Sequence, residues 1–259
     1  MNFITQDVLY TSGDIKREAK AQLQGNWRSA VILALIPSLF SVFFIGTTAR
    51  DPMNQTLLED LVDMLLNIIH TFLLIGVSFT FLDFIRQRIE FIDPLQGLIE
   101  SFRLKYFTNL LLLKITKYLY IFLWSLLLVV PGVMKAYSYS QAEYIYKDIV
   151  DRTGVQPSAK ECLQESERLM KGHRLDLFTL HLSFIGWYFL GFLTIGILFI
   201  WLNPYTTMAY TIFYENIAGS SYISDTDEEQ TKNKVYRETT DPYEEIGQDP
   251  DDFRDFEDF

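Results

Sequence analysis

Cysteine and histidine are scarce in this chain: 259 residues hold one cysteine, Cys162, and three histidines, His70, His173 and His181. A single cysteine excludes an intrachain disulfide and a zinc cluster. Basic charge is also thin, 22 Lys and Arg against 33 Asp and Glu. No clustered basic patch offers the footprint that nucleic-acid binding requires. The Walker phosphate loop, the G-x-S-x-G elbow and the H-E-x-x-H zinc helix are absent, as is any nucleophile beside a base. These absences argue against an enzyme and leave no cofactor or metal to expect.

Charge itself is missing over long stretches, and those stretches are what the sequence does have. Of the net charge of -11, residues 219–259 carry -10 and residues 1–218 only -1. The chain therefore divides into an apolar body expected to be an integral membrane domain, 1–218, and an acidic, cytoplasmic tail, 219–259, expected to be disordered. Uncharged runs place spans at Ser29–Ala49, Met64–Leu82 and Tyr118–Met134. The longest, Leu177–Tyr214, is 38 residues without a charge, nearly two crossings of about 20 residues each. Thr194-Ile195-Gly196 offers a turn within it, and Asn203-Pro204 competes. The first run starts after a polar stretch and is as long as a span, which does not read as a cleavable signal.

Basic residues orient the spans. Lys16, Arg17, Lys20 and Arg28 precede the first, and Arg86, Arg88, Arg103, Lys105, Lys114 and Lys117 follow the second. The pattern reads cytoplasmic, outside, cytoplasmic. Residues 135–174 then hold seven basic residues, which an outward third span would misplace. If residues 133–150 cross back as a polar fourth span, the charge bias is restored. The fold is then an all-α, polytopic bundle of six spans with both termini cytoplasmic; four or five spans, with 133–150 lying at the interface, are the alternative. Lys135, Tyr139, Glu143 and Lys147 recur every four residues, along one helix face that would have to point into the bundle or into water.

The chain also repeats. Leu98–Leu104 and Leu163–Leu169 both read L-x-E-S-x-R-L, following Pro94 and Pro157. Ser158 and Glu161 form a capping box, and Gly172 sits where a helix ends or bends. A weaker copy contains Glu18-Ala19, Leu23 and Gly25. Each copy is amphipathic and precedes a long apolar region, so the plan is three interfacial helices, each feeding a transmembrane hairpin.

Several segments resemble a known family. They are Val130-Pro131-Gly132 through Tyr139-Ser140, Ser166-Glu167-Arg168 through Gly172-His173, Leu182 through Gly186-Trp187, Asn203-Pro204-Tyr205 with Phe213-Tyr214, and Ala19-Lys20 through Trp27. On these, residues 14–218 are similar to the DUF975 family of uncharacterised bacterial membrane proteins. The resemblance implies a multi-pass protein of the bacterial cytoplasmic membrane and no particular activity. Its motif residues here are Pro131, Gly132, Ser166, Gly172, Gly186, Trp187, Pro204 and Tyr205.

Candidate polar residues inside the spans are Lys135, Tyr139, Glu143, His70 and His181. A stripe through Lys135, Tyr139 and Glu143 would line a solute route; the plainer alternative is pairing at the interface, with Glu143 and Lys147 joined at i, i+4. One histidine per helix more often bonds a neighbouring helix than a metal. Gly186, Gly191 and Gly196, with Trp187 and Trp201, read as packing and interface anchoring. Expected partners are the lipid bilayer and a further membrane protein, with the ligand open. The two functions to weigh are a non-enzymatic envelope scaffold or accessory protein, docked by its amphipathic helices, and a small transporter or permease component using residues 135–147.

Overall fold

A short capped helix feeding a helical hairpin occurs three times along the chain. The computed structural model describes residues 11–48 and 56–219; all but the first residue of the acidic tail lies outside the described residues. The first unit is α1 (Ser12–Leu23), α2 (Trp27–Thr48) and α3 (Leu57–Ile85). The second is α4 (Pro94–Ile99), a 3-10 turn (Glu100–Phe102), α5 (Leu104–Leu127), α6 (Val129–Ser138) and α7 (Ala142–Thr153). The third is α8 (Ala159–Leu169), α9 (Arg174–Leu193) and α10 (Phe199–Ala218). All the regular structure among the described residues is helical.

Local chemistry starts the helices. Thr11, Thr56 and Ser158 each accept from the backbone three residues on, and Asp14, Glu59 and Glu161 return the bond. Asp93 caps α4, with Pro94 in the first turn, where its missing N–H costs nothing. The capping box at Ser158 and the bend at Gly172, where φ is +98°, are as the sequence indicates.

Among the described residues, three helices are long and apolar enough to cross a membrane: α3, α9 and residues 105–127 of α5. The expectation of six spans is not supported on that criterion. Each departure has a physical cause. Tyr118–Met134 is not one helix but the top of a hairpin: α5 ends at Leu127, Leu128 is extended, and α6 turns back. Pro131 fits there because it lies in the first turn of α6. Gly132 fits because a Cβ would lie 2.8 Å from Ser125 Cα. Residues 133–150 are not one helix either, since the return leg breaks at Tyr139–Gln141 between α6 and α7. The 38-residue run turns between α9 and α10, with Ile195 at φ 54° and Gly196 at φ 84°. Pro204 sits inside α10, and the Asn203 carbonyl beside it accepts from the hydroxyls of Thr206 and Thr207.

The short helices spend their apolar faces inside the chain. Ile15, Ala19 and Leu23 of α1 are buried, as are Leu98 of α4 and Cys162 and Leu163 of α8. Burial also pushes the Cys162 thiol up to about 12, with the nearby charges of Glu161 and Glu143 adding to it. The apolar face of α4 is split, because Leu95 and Ile99 are exposed while Leu98 is buried.

The L-x-E-S-x-R-L copies do matching work despite lying on different local structure. Ser101 and Ser166 are both fully buried. Ser101 donates to the Phe72 carbonyl at 2.6 Å, and Ser166 to the Ser138 carbonyl at 2.7 Å. Glu100–Arg103 and Glu165–Arg168 both pair at i, i+3. Each serine docks a short helix onto the backbone of a hairpin.

Large apolar side chains cover the outside of the hairpins. Only 11% of the apolar window of α5 is buried within the chain. Leu119, Phe122, Leu126, Phe189 and Phe192 are all more than half exposed. So much contiguous apolar surface is foreign to a monomer in water.

Candidate functional site

Charged side chains inside the bundle gather in two places. The first lies where the C-terminal ends of α3, α7 and α10 meet the start of α5. Arg86 is 3% exposed and grips the fully buried carboxylate of Asp148 through both terminal nitrogens. Its Nε donates to Glu215 at 2.8 Å, and the Tyr214 hydroxyl donates to Asp148 at 2.5 Å. Alongside, Asp151 accepts from Lys147 at 2.7 Å, from Lys105 at 2.8 Å and from the Tyr106 hydroxyl. Asp83 pairs with Lys147 at 3.0 Å and with Arg88 at 3.2 Å. Burial alone would raise the Asp151 pKa, but the charge of Lys147 and the bonds from Lys105, Lys147 and Tyr106 outweigh it and hold the carboxyl well below its ordinary range. Four cations, Arg86, Arg88, Lys105 and Lys147, meet four carboxylates, Asp83, Asp148, Asp151 and Glu215. The cluster sets these four cations against these four carboxylates and ties three hairpins together.

The second place is different. Lys114 and Lys117 are the eleventh and fourteenth of the 24 residues of α5, so they sit at its midpoint. Both reach Glu143 on the first turn of α7, Lys114 Nζ at 2.8 Å and Lys117 Nζ at 2.9 Å from Oε1. Two lysines share one carboxylate, so with both protonated the three side chains carry a surplus of +1. The three line a cavity of about 330 Å³ with Ser78, Gln141, Tyr144 and His181. That volume falls in the roughly 300–1,000 Å³ range of small-molecule sites.

The break in the return leg opens onto this cavity. Ser140 and Gln141, from the unwound turn, line it. Gln141 is 3% exposed, yet its side-chain carbonyl Oε1 accepts no hydrogen bond. A buried acceptor left unmet among the described residues is uncommon. Tyr144 frames the far wall, its hydroxyl 3.0 Å from that of Thr211.

The sequence candidates divide accordingly. Glu143 and His181 line the cavity. Lys135 does not: it donates to Glu167 on α8 at 2.6 Å and lies over the rings of Trp124 and Tyr139. The helix break is the reason, since it ends the four-residue register that would have joined Lys135 to Glu143. Tyr139 is buried against Tyr120. The i, i+4 pair of Glu143 with Lys147 does not form; Lys147 turns to Asp83 and Asp151 instead. His70 stacks on Phe40 of α2, while His181 bonds the Leu177 carbonyl and stacks on Tyr210 of α10. Each histidine thus serves its own helix contact.

Among the family-motif residues, Tyr205 donates to the Lys16 carbonyl at 3.1 Å, joining α10 to α1. A Cβ at Gly186 would meet nothing within 4 Å among the described residues and Trp187 is 47% exposed, so neither packs the interior. Gly191 does, because a Cβ there would strike the Phe199 ring across the hairpin.

Lys114 and Lys117 are what the sequence reading misplaced, by assigning them to a loop. The signal was present: a hydropathy window that tolerates two charges reads residues 105–127 as one apolar helix.

No curated protein and no solved structure matches the chain. Residues 9–138 and 126–221 match the family described as protein of unknown function DUF975. With nearly all of the helical body covered, the chain belongs to the DUF975 family.

Proposed function

We propose that this chain is a multi-pass membrane protein that binds and passes a small anionic solute, acting as a permease or permease component and not as an enzyme. The observation that carries this reading is the Lys114–Lys117–Glu143 cluster, with its surplus positive charge, halfway along an apolar helix. Ionisable groups in such a position are expensive and are kept for function. A discontinuous helix lining the same cavity supports it, since unwound segments at mid-membrane commonly build transporter sites. In this reading α3, α5 and α9 cross the bilayer, and α2, α6–α7 and α10 return beside them. The end carrying Arg86, Arg88, Arg103 and Lys105 faces the bacterial cytoplasm, by the positive-inside bias. Exposed Phe91, Leu95 and Ile99 at that end dip into the interface.

A scaffold role would need a docking face, and the apolar faces of α1 and α8 are buried within the chain, while Leu95 and Ile99 of α4 stay exposed. The test is uptake of a panel of radiolabelled small organic anions into proteoliposomes. Wild-type protein and Lys117→Arg should accumulate at least one anion above empty liposomes, and Lys117→Met should not. Equal uptake by Lys117→Met, or no uptake of any anion by the wild type, would overturn the reading.

A further inference from the structure

A second, larger cavity lies beside the first and opens differently. It measures about 500 Å³ and runs between α3 and α5, walled by Met64, Ile68, Phe72, Leu111 and Ile115. Thr71, Lys114 and Tyr118 line both cavities, so the apolar groove adjoins the charged one along these three side chains. Met64, Ile115 and Tyr118 are 56%, 57% and 59% exposed, which places the groove mouth on the outer flank of the hairpins. In the membrane reading that flank faces acyl chains. Asp63 and Asn67 also line the groove, toward the N-terminal end of α3.

The two cavities together describe one shape: a compact anionic head beside a long apolar body. From this we infer that the ligand is a long-chain carboxylate, a single alkyl chain with a single negative head. The inference rests on the anion-binding reading above and specifies its substrate class. The carboxylate lies against Lys117 and Lys114, which among the described residues share the single carboxylate of Glu143. The chain lies in the α3–α5 groove and enters sideways from the bilayer, with Lys114 and Tyr118 at the junction. A larger net negative charge would leave the chamber uncompensated. A neutral chain would leave the surplus cation unmatched.

The test is equilibrium binding of tritiated dodecanoate, hexanoate and dodecanol to the full chain in phosphatidylcholine nanodiscs, with empty nanodiscs subtracted. Dodecanoate should bind roughly tenfold or more tighter than hexanoate, because six further methylenes leave water. Ile115→Trp, which fills the groove from its exposed side, should bring dodecanoate down to the level of hexanoate. Lys117→Met should weaken both carboxylates. Equal binding of dodecanoate and hexanoate by the wild type would overturn the chain assignment while leaving the anion site standing. Dodecanol binding as tightly as dodecanoate would overturn the charged head. Failure of every carboxylate to bind would overturn both this inference and the anion site beneath it.

Discussion

Lys117 donates to both carboxylate oxygens of Glu143, at 2.9 and 3.0 Å, from the midpoint of an apolar helix. Lys114 shares the same carboxylate at 2.8 Å. The arrangement is lopsided, and the consequences of removing each partner are therefore unequal. Lys117→Met leaves a one-to-one Lys114–Glu143 pair and should be well tolerated. Glu143→Gln strands two cations and should cost about 3–5 kcal/mol, the usual penalty for an uncompensated buried charge. Thermal unfolding of purified protein in nanodiscs reads the difference, and equal losses in the two variants would contradict the surplus.

The cluster of four cations and four carboxylates makes a pH prediction through Asp151. Its carboxyl is depressed below the ordinary 3.8 by Lys147, Lys105 and Tyr106, despite the opposing effect of burial. A depressed acid contributes stability that is fully present above its unfolded pKa and is lost as pH falls through the folded one. Wild type should thus exceed Asp151→Asn in melting temperature at neutral pH, and the gap should begin to close only below about pH 4, where the unfolded carboxyl takes up its proton. A gap that is constant from pH 7 to pH 3 would show that the ionised form is not what matters.

The two repeat serines should behave alike. Ser101 and Ser166 are fully buried and each satisfies a carbonyl of a neighbouring helix, Phe72 and Ser138. Replacing either with alanine removes one buried hydrogen bond, at a cost of about 0.5–1.5 kcal/mol. Ser166 also accepts from the Gln141 N–H, so its loss should loosen the helix break and weaken ligand binding, whereas Ser101→Ala should affect stability alone. Parallel stability and binding measurements on the two alanine variants separate these effects.

Much of this was legible in the sequence, and what was not has a common cause. Capping at Ser158, Pro94 at a helix start, the bend at Gly172 and the turn near Gly196 follow from local chemistry that one short segment dictates. The hairpin tip at Leu128 does not, because its neighbours are as apolar as a span and only the packing of Gly132 on Ser125 fixes the reversal. Charge counting failed at Lys114 and Lys117 for a related reason. A lysine in an apolar helix is read as a loop residue until the carboxylate that neutralises it, here 26 residues further on from Lys117, is brought alongside. Lys135 and Glu143 shared a face on paper, and three residues of unwound backbone separated them.

The central claim is that the surplus positive charge at Lys117 holds an anion inside the bundle. The most direct measurement is binding of a small monocarboxylate, hexanoate, to wild type, Lys117→Arg and Lys117→Met in nanodiscs, titrated against chloride. Wild type and Lys117→Arg should bind in competition with chloride, and Lys117→Met should lose at least roughly tenfold in affinity, the equivalent of about 1.4 kcal/mol for one charged hydrogen bond. Binding by Lys117→Met indistinguishable from wild type, or no binding by any of the three, would contradict the account.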